Sequence, residues 1–148
     1  MSCHIIDSHV IDGLLTHIQR VAHEVGNPFS QSDLNQMGIA IAYQNARSWN
    51  ARYPRDAIKQ LDGYRFRQHT AIPADPWHVI SACDYVEHQC NETRDWETTP
   101  ACRIVQRIKR ITMIKLKLNP DSDSYRDTAT YRAAPWGMVE NPNRSAAA

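Results

Sequence analysis

Glycine is scarce in this sequence, with five among 148 residues, which leaves little material for the glycine-rich turns that cradle phosphate groups. Long apolar runs are missing as well. No window approaches 18 uncharged apolar residues, so the sequence gives no reason to expect a membrane span. Cysteine pairs two to four residues apart are absent, which removes the ligand spacing of a structural zinc site. A nucleophile elbow, a kinase signature and a paired-histidine metal motif are also missing. Charge of one sign is not in excess: 17 Lys and Arg stand against 16 Asp and Glu. A dedicated nucleic-acid binder usually carries a basic excess over the whole domain.

What is present is ordinary globular material. The chain is 42% hydrophobic and 22% charged, which fits neither a collagen, a coiled-coil rod, a disulfide-dense scaffold nor a disordered chain. A domain of this length buries roughly 68 to 70% of its unfolded surface and needs no disulfide or metal to fold. The first ten residues have no basic start and no apolar core, so neither a signal nor a transit peptide is expected. The expected location is cytoplasmic, with Cys3, Cys83, Cys90 and Cys102 as reduced thiols.

Periodicity predicts a mainly α fold of about four helices. Val10, Leu14, Ile18, Val21 and Val25 recur at three- and four-residue spacings, predicting a helix over 9–24 that ends at Gly26, Asn27 and Pro28. Ser32 or Asp33 opens a second helix, with Leu34, Met37, Ile41, Tyr43, Ala46 and Trp49 as its stripe and Pro54 as its stop. Asp75 before Pro76 and Thr99 before Pro100 are strong start signals, because each pairs a capping oxygen with a proline at a first-turn position. They predict a third helix to about Cys90 and a fourth to about Leu118.

Tyr64, Phe66 and Gln68 alternate with Arg65, Arg67 and His69, predicting a short strand in at most a two-stranded accessory element, either a small hairpin or a pairing with residues 3–6. One domain is expected over 1–118. Residues 119–148 read as an irregular tail, ordered only if Tyr125, Tyr131 and Trp136 dock on the body.

Charge is distributed unevenly. Residues 75–97 hold six acids and one base, and residues 103–117 hold six bases and no acid. At 100° per residue Arg103, Arg107, Arg110 and Lys117 fall within about 80° of one another, a basic ridge on the fourth helix. Two antiparallel helices of opposite sign can neutralise each other along a shared edge, or the ridge can bind an acidic protein surface or nucleic acid. Arg47, Trp49 and Arg52, with Asn45 and Asn50, form a second polar and aromatic cluster.

Cys83, Glu87 and Cys90 recur at i, i+4 and i+7 with His88 beside them. They are either small buried residues of a helix interface or, with a histidine, the centre of a metal- or thiol-dependent enzyme. Trp96 packed under a turn is the structural expectation for the 95–99 junction. No cofactor and no resident metal is expected.

Three segments, 11–16 (Ile-Asp-Gly-Leu-Leu-Thr), 44–53 (Gln-Asn-Ala-Arg-Ser-Trp-Asn-Ala-Arg-Tyr) and 82–97 with Cys83, Tyr85, Gln89, Cys90, Glu92, Trp96 and Glu97, resemble small hypothetical proteins of bacterial genomes, phages and integrative elements. The resemblance implies a mobile-element setting and supplies no catalytic residue or cofactor. Small proteins without catalytic motifs in that setting act by binding and blocking a host protein, as anti-CRISPR and other anti-defence proteins do. The expected partner is therefore a host protein, with nucleic acid as the alternative and membrane excluded.

Overall fold

The computed structural model describes residues 8–49, 63–68, 75–91 and 95–134, with the backbone alone for 43–49. These residues are mainly helical: α1 (Ser8–Glu24), α2 (Gln31–Trp49), α3 (Pro76–Cys90), α4 (Pro100–Lys115) and a one-turn α5 (Ala129–Arg132), with short 3-10 turns at Trp96–Thr98 and Ser124–Asp127. α3 is the centre of the arrangement and packs against α1, α2, α4 and α5. Among the described residues no helix is long and apolar enough to cross a membrane.

The helix starts follow their capping chemistry. The Asp75 carboxylate accepts from the amides of Trp77 (2.9 Å) and His78 (3.4 Å), and the Thr99 hydroxyl accepts from Cys102 (3.1 Å), each with proline in the first turn. α1 ends in a Schellman motif on Gly26, whose φ of +76° is the left-handed conformation the motif requires. The Gly26 amide donates to the His23 carbonyl and that of Asn27 to Ala22. α4 ends the same way with Lys117 in the left-handed position (φ +61°), while Leu118 donates back to Met113. The helix therefore stops at Lys115, three residues before the point suggested by the apolar pattern, because Leu116 and Leu118 fold back onto a second apolar cluster.

α1 is buried on every side over residues 11–19, whereas its period suggested a one-sided helix. The core contacts are Ile11, Leu14, Leu15, Ile18 and Ala22, and Val10 is 43% exposed. The buried stripe is thus rotated from the expected one. The same three-and-four spacing is satisfied by two overlapping sets, and α2, α3 and α4 all pack on α1. A helix enclosed in this way must satisfy its polar side chains internally. Thr16 Oγ1 donates to the Asp12 carbonyl, Gln19 both donates to and accepts from the backbone of Phe29, and Asp12 accepts the Tyr64 hydroxyl at 2.5 Å.

No strand occurs among the described residues, so the accessory β element is not seen there. The expected alternation holds over four residues, with Tyr64 and Phe66 buried and Arg65 and Arg67 exposed, and fails at Gln68, which is exposed; His69 lies outside the described residues. Side chains do the work of a partner strand. Asn35 Oδ1 accepts from the Phe66 amide (2.8 Å), and Gln31 Nε2 donates to the Phe66 carbonyl (3.0 Å). Residues 3–6, the other expected pairing partner, lie outside the described residues.

Gly38 of α2 makes room for this segment. A Cβ there would sit 2.1 Å from Tyr64 Cε2, and the ring is held by the hydroxyl bond to Asp12. Gly38→Ala should therefore cost about 2 kcal/mol in urea unfolding, although the same exchange in an open helix gains about 1 kcal/mol. A gain would show that Tyr64 does not pack on α2.

The segment after α4 docks on the body. Tyr125 and Tyr131 are buried, meet edge to face at 5.2 Å, and cluster with Ile80 and Met113. Trp136, the third expected anchor, lies outside the described residues.

Candidate functional site

Arg103, Arg107 and Arg110 recur at i, i+4 and i+7 along α4, and all three are exposed. One turn further, Ile114 is 55% exposed in line with them. The stripe runs about 16 Å along the helix axis. Arg110 Nη1 pairs with Asp121 Oδ1 at 3.2 Å in an exposed contact, which is worth little. Arg103 and Arg107 make no ion pair among the described residues. Lys117 drops out of the expected ridge, because it lies beyond the helix end in a left-handed conformation and the 100° step no longer sets its direction.

The acid–base pairing between α3 and α4 runs through residues outside the ridge. Asp84, 3% exposed, accepts from Lys109 of α4. It also accepts from the Tyr125 hydroxyl (2.6 Å), the Tyr131 hydroxyl (2.8 Å), and Arg126 Nε and Nη2 (both 3.2 Å). Burial works to raise the Asp84 pKa; Lys109, Tyr125 and Arg126 overcome it and hold the carboxyl below its ordinary value. Among the described residues, neutralisation between α3 and α4 thus runs through Asp84 and Lys109, joined by Arg126 from the 124–127 turn, and it involves none of the stripe arginines.

Next to the stripe, an open cleft of about 410 Å3 is lined by residues of both α3 and α4, with Gln106 among them. Glu87 and Glu97 line it, with Trp96 beneath and Arg126 at one side. Burial raises the Glu87 pKa and Asp84 adds to the rise, against the pull of Lys109. Trp96 is buried under the 95–99 turn, the structural role expected of it. The face formed by α4 and this cleft therefore carries both signs of charge in adjacent strips.

Cys83 and Cys90 point into the core together with Cys102, all three as free thiols. Burial pushes Cys83 well up and Cys90 up to about 12, which disfavours the thiolate a nucleophile or metal ligand needs. Glu87 and His88 face the polar cleft instead, so the i, i+4, i+7 spacing does not bring these groups together. Among the described residues no group of three or more His, Cys, Asp or Glu side chains is arranged to hold a metal ion. In the Arg47, Trp49 and Arg52 cluster, the side chains of Arg47 and Trp49 and all of Arg52 lie outside the described residues.

One arrangement had little signal in the pattern. His17 is buried in α1, and its ring meets His78 of α3 edge to face at 5.4 Å. His78 Nε2 lies 3.5 Å from Asp75. Burial first, then the charges of His78 and Arg20, lower the His17 pKa to about 4, with Asp75 opposing. A histidine at a core position of an apolar stripe was the only available hint.

No protein family, curated protein or solved structure matches the chain.

Proposed function

We propose that this chain is a non-enzymatic protein-binding module, an accessory protein of a mobile element that binds and blocks a host protein through Arg103, Arg107 and Arg110. The observation that carries this reading is the strip of opposite charge beside the arginines. A phosphate backbone laid along the stripe would run beside the cleft that Glu87 and Glu97 line, where like charges repel. A protein surface can match both strips at once, placing carboxylates on the arginines and a basic residue toward the cleft. The exposed Ile114 at the end of the stripe favours the same partner, since it offers an apolar contact that phosphate does not use.

The test is a pull-down from host lysate with nuclease present, comparing the wild type with Arg107→Glu/Arg110→Glu. Both positions are exposed, so the circular dichroism spectrum should be unchanged and the melting temperature nearly so. A stoichiometric protein partner is expected with the wild type, and it should be lost with the variant. A variant that keeps every partner would remove the stripe from the contact. Recovery of nucleic acid alone, with affinity falling steeply as salt is raised, would replace the protein reading by the nucleic-acid one.

A further inference from the structure

α3 and α4 run antiparallel in a fixed register. Asp84 meets Lys109, and further along Glu87 and Asn91 share the cleft with Gln106 and Cys102. The cleft is therefore level with Arg103 and Arg107, and Glu97 lines it from the turn before α4. At 100° per residue Gln106 lies about 60° round α4 from Arg103, on the side of the cleft that it also lines. Arginines, a neutral amide and carboxylates thus follow one another across one face. The side chains of Arg103, Arg107, Glu87 and Glu97 make no ion pair or hydrogen bond among the described residues. Asp84 and Arg126, the other charged groups of the cleft, engage each other. Burial raises the Glu87 pKa against the pull of Lys109 and Arg126, as expected of a carboxylate with no cation against it.

A face ordered in this way is complementary to itself. In a two-fold contact residue i of one copy meets j of the other while j meets i, so a rotation about an axis between the strips lays each on its opposite, and the same pairing forms twice. A group standing on the axis meets its own image, and a charge there would repel itself. Gln106, between the strips, is exposed and uncharged, and its amide can both donate to and accept from its own copy. With a net charge of +1 at pH 7, no long-range repulsion keeps two chains apart.

We infer that this face binds a second copy of the chain, in a two-fold dimer whose α4 helices cross antiparallel at Gln106 and whose Arg103 and Arg107 rest on Glu87 and Glu97 of the other copy. The paired face is about 16 Å long and about 20 Å wide, roughly 300 Å2 per copy against the 800 Å2 or so of a standard interface. Exposed ion pairs add little each. The dimer is therefore weak, with a dissociation constant on the order of 0.1 to 1 mM, and it dissociates on dilution. A tighter partner of the same face displaces the second copy, so the dimer does not depend on the host-protein reading.

The test is sedimentation equilibrium of the purified full chain from about 20 µM to about 2 mM protein. The average mass should rise from one chain toward two and stop there, and raising salt from about 50 mM to about 500 mM should weaken the dimer about tenfold or more. Arg103→Glu/Arg107→Glu and Glu87→Lys/Glu97→Lys should each stay monomeric. An equimolar mixture of the two should dimerise again, because both contacts return with their signs exchanged. Glu97→Lys alone, at an exposed position, replaces the second variant if circular dichroism shows that Glu87→Lys disturbs the fold. A wild type that stays monomeric, a dimer indifferent to salt, growth beyond two chains, a charge variant that dimerises like wild type, or a mixture that stays monomeric would each overturn the dimer. Failure of the host-protein reading shows instead in the lysate pull-down.

Discussion

Asp84→Ala should lower the stability of the chain by about 3 to 5 kcal/mol, because it removes one partner of a buried charge cluster and leaves the others in place. Lys109 and Arg126 would keep their charges in a half-buried setting, and the hydroxyls of Tyr125 and Tyr131 would lose their shared acceptor. For a chain of this length that loss corresponds to a fall of about 10 °C in melting temperature. The cluster is also what ties residues 124–134 to α3, since Tyr125, Arg126 and Tyr131 all converge on one carboxylate. The same variant should therefore expose the segment after Pro120 to proteolysis before the helices unfold. Asp84→Asn keeps the volume and one acceptor oxygen but not the charge, and should fall between wild type and Asp84→Ala. If Asp84→Ala unfolds within about 1 kcal/mol of wild type, the cluster does not hold the segment. Replacing Asp84, Lys109 and Arg126 together by apolar residues of similar volume is a different experiment with a different expectation, near neutrality, since desolvation of the charges offsets much of their attraction.

The helices were legible, and so were the starts of α3 and α4, because their signals are local; α2 instead begins at Gln31, with the Ser30 hydroxyl accepting from the Asp33 amide, ahead of the expected Ser32 or Asp33. A carboxylate or hydroxyl followed by proline acts within one turn, and Asp75, Thr99 and Gly26 do what their chemistry dictates. The burial of α1 was not legible. A three-and-four spacing names a face only when one set of positions is apolar, and α1 has two overlapping sets with Asp12, Thr16, His17 and Gln19 between them. Tyr64 and His78, which meet Asp12 and His17, come from distant parts of the chain, and Phe29, which meets Gln19, from the turn after α1. The arginine stripe could be read from helical geometry as far as the helix lasts, and Lys117 was misplaced because the end of α4 is set by where Leu116 and Leu118 pack. The charge contrast between 75–97 and 103–117 was visible. Which acid meets which base was not, because the partition depends on residues 124–134, which have no period of their own. Cys83 and Cys90 packed as an interface pair, the simpler of the two readings their spacing allowed.

Stability should fall as the solution is acidified from pH 7 toward pH 4, and His17 should carry most of that fall. Its folded-state pKa is lowered to about 4 from 6.5, so over this window the unfolded chain binds a proton at this residue and the folded chain does not. Unfolding then takes up a proton, and each unit of pH below 6.5 removes about 1.4 kcal/mol. About 2 kcal/mol is lost by pH 5 and about 3 kcal/mol by pH 4. Two carboxylates act in other ways. Asp84, whose pKa is held below 3.8, loses its contribution only as pH falls below that ordinary value. Glu87, whose pKa is raised above 4.5, contributes with the opposite sign and gains stability as it protonates. The difference between wild type and His17→Gln isolates the histidine, because glutamine keeps hydrogen-bonding capacity without a titration. Urea midpoints measured from pH 7 to pH 4 should fall further for wild type than for His17→Gln, whatever their separation at pH 7. Parallel curves would mean that His17 titrates alike in the folded and unfolded chains, and hence that the core of α1 is open to water at that position.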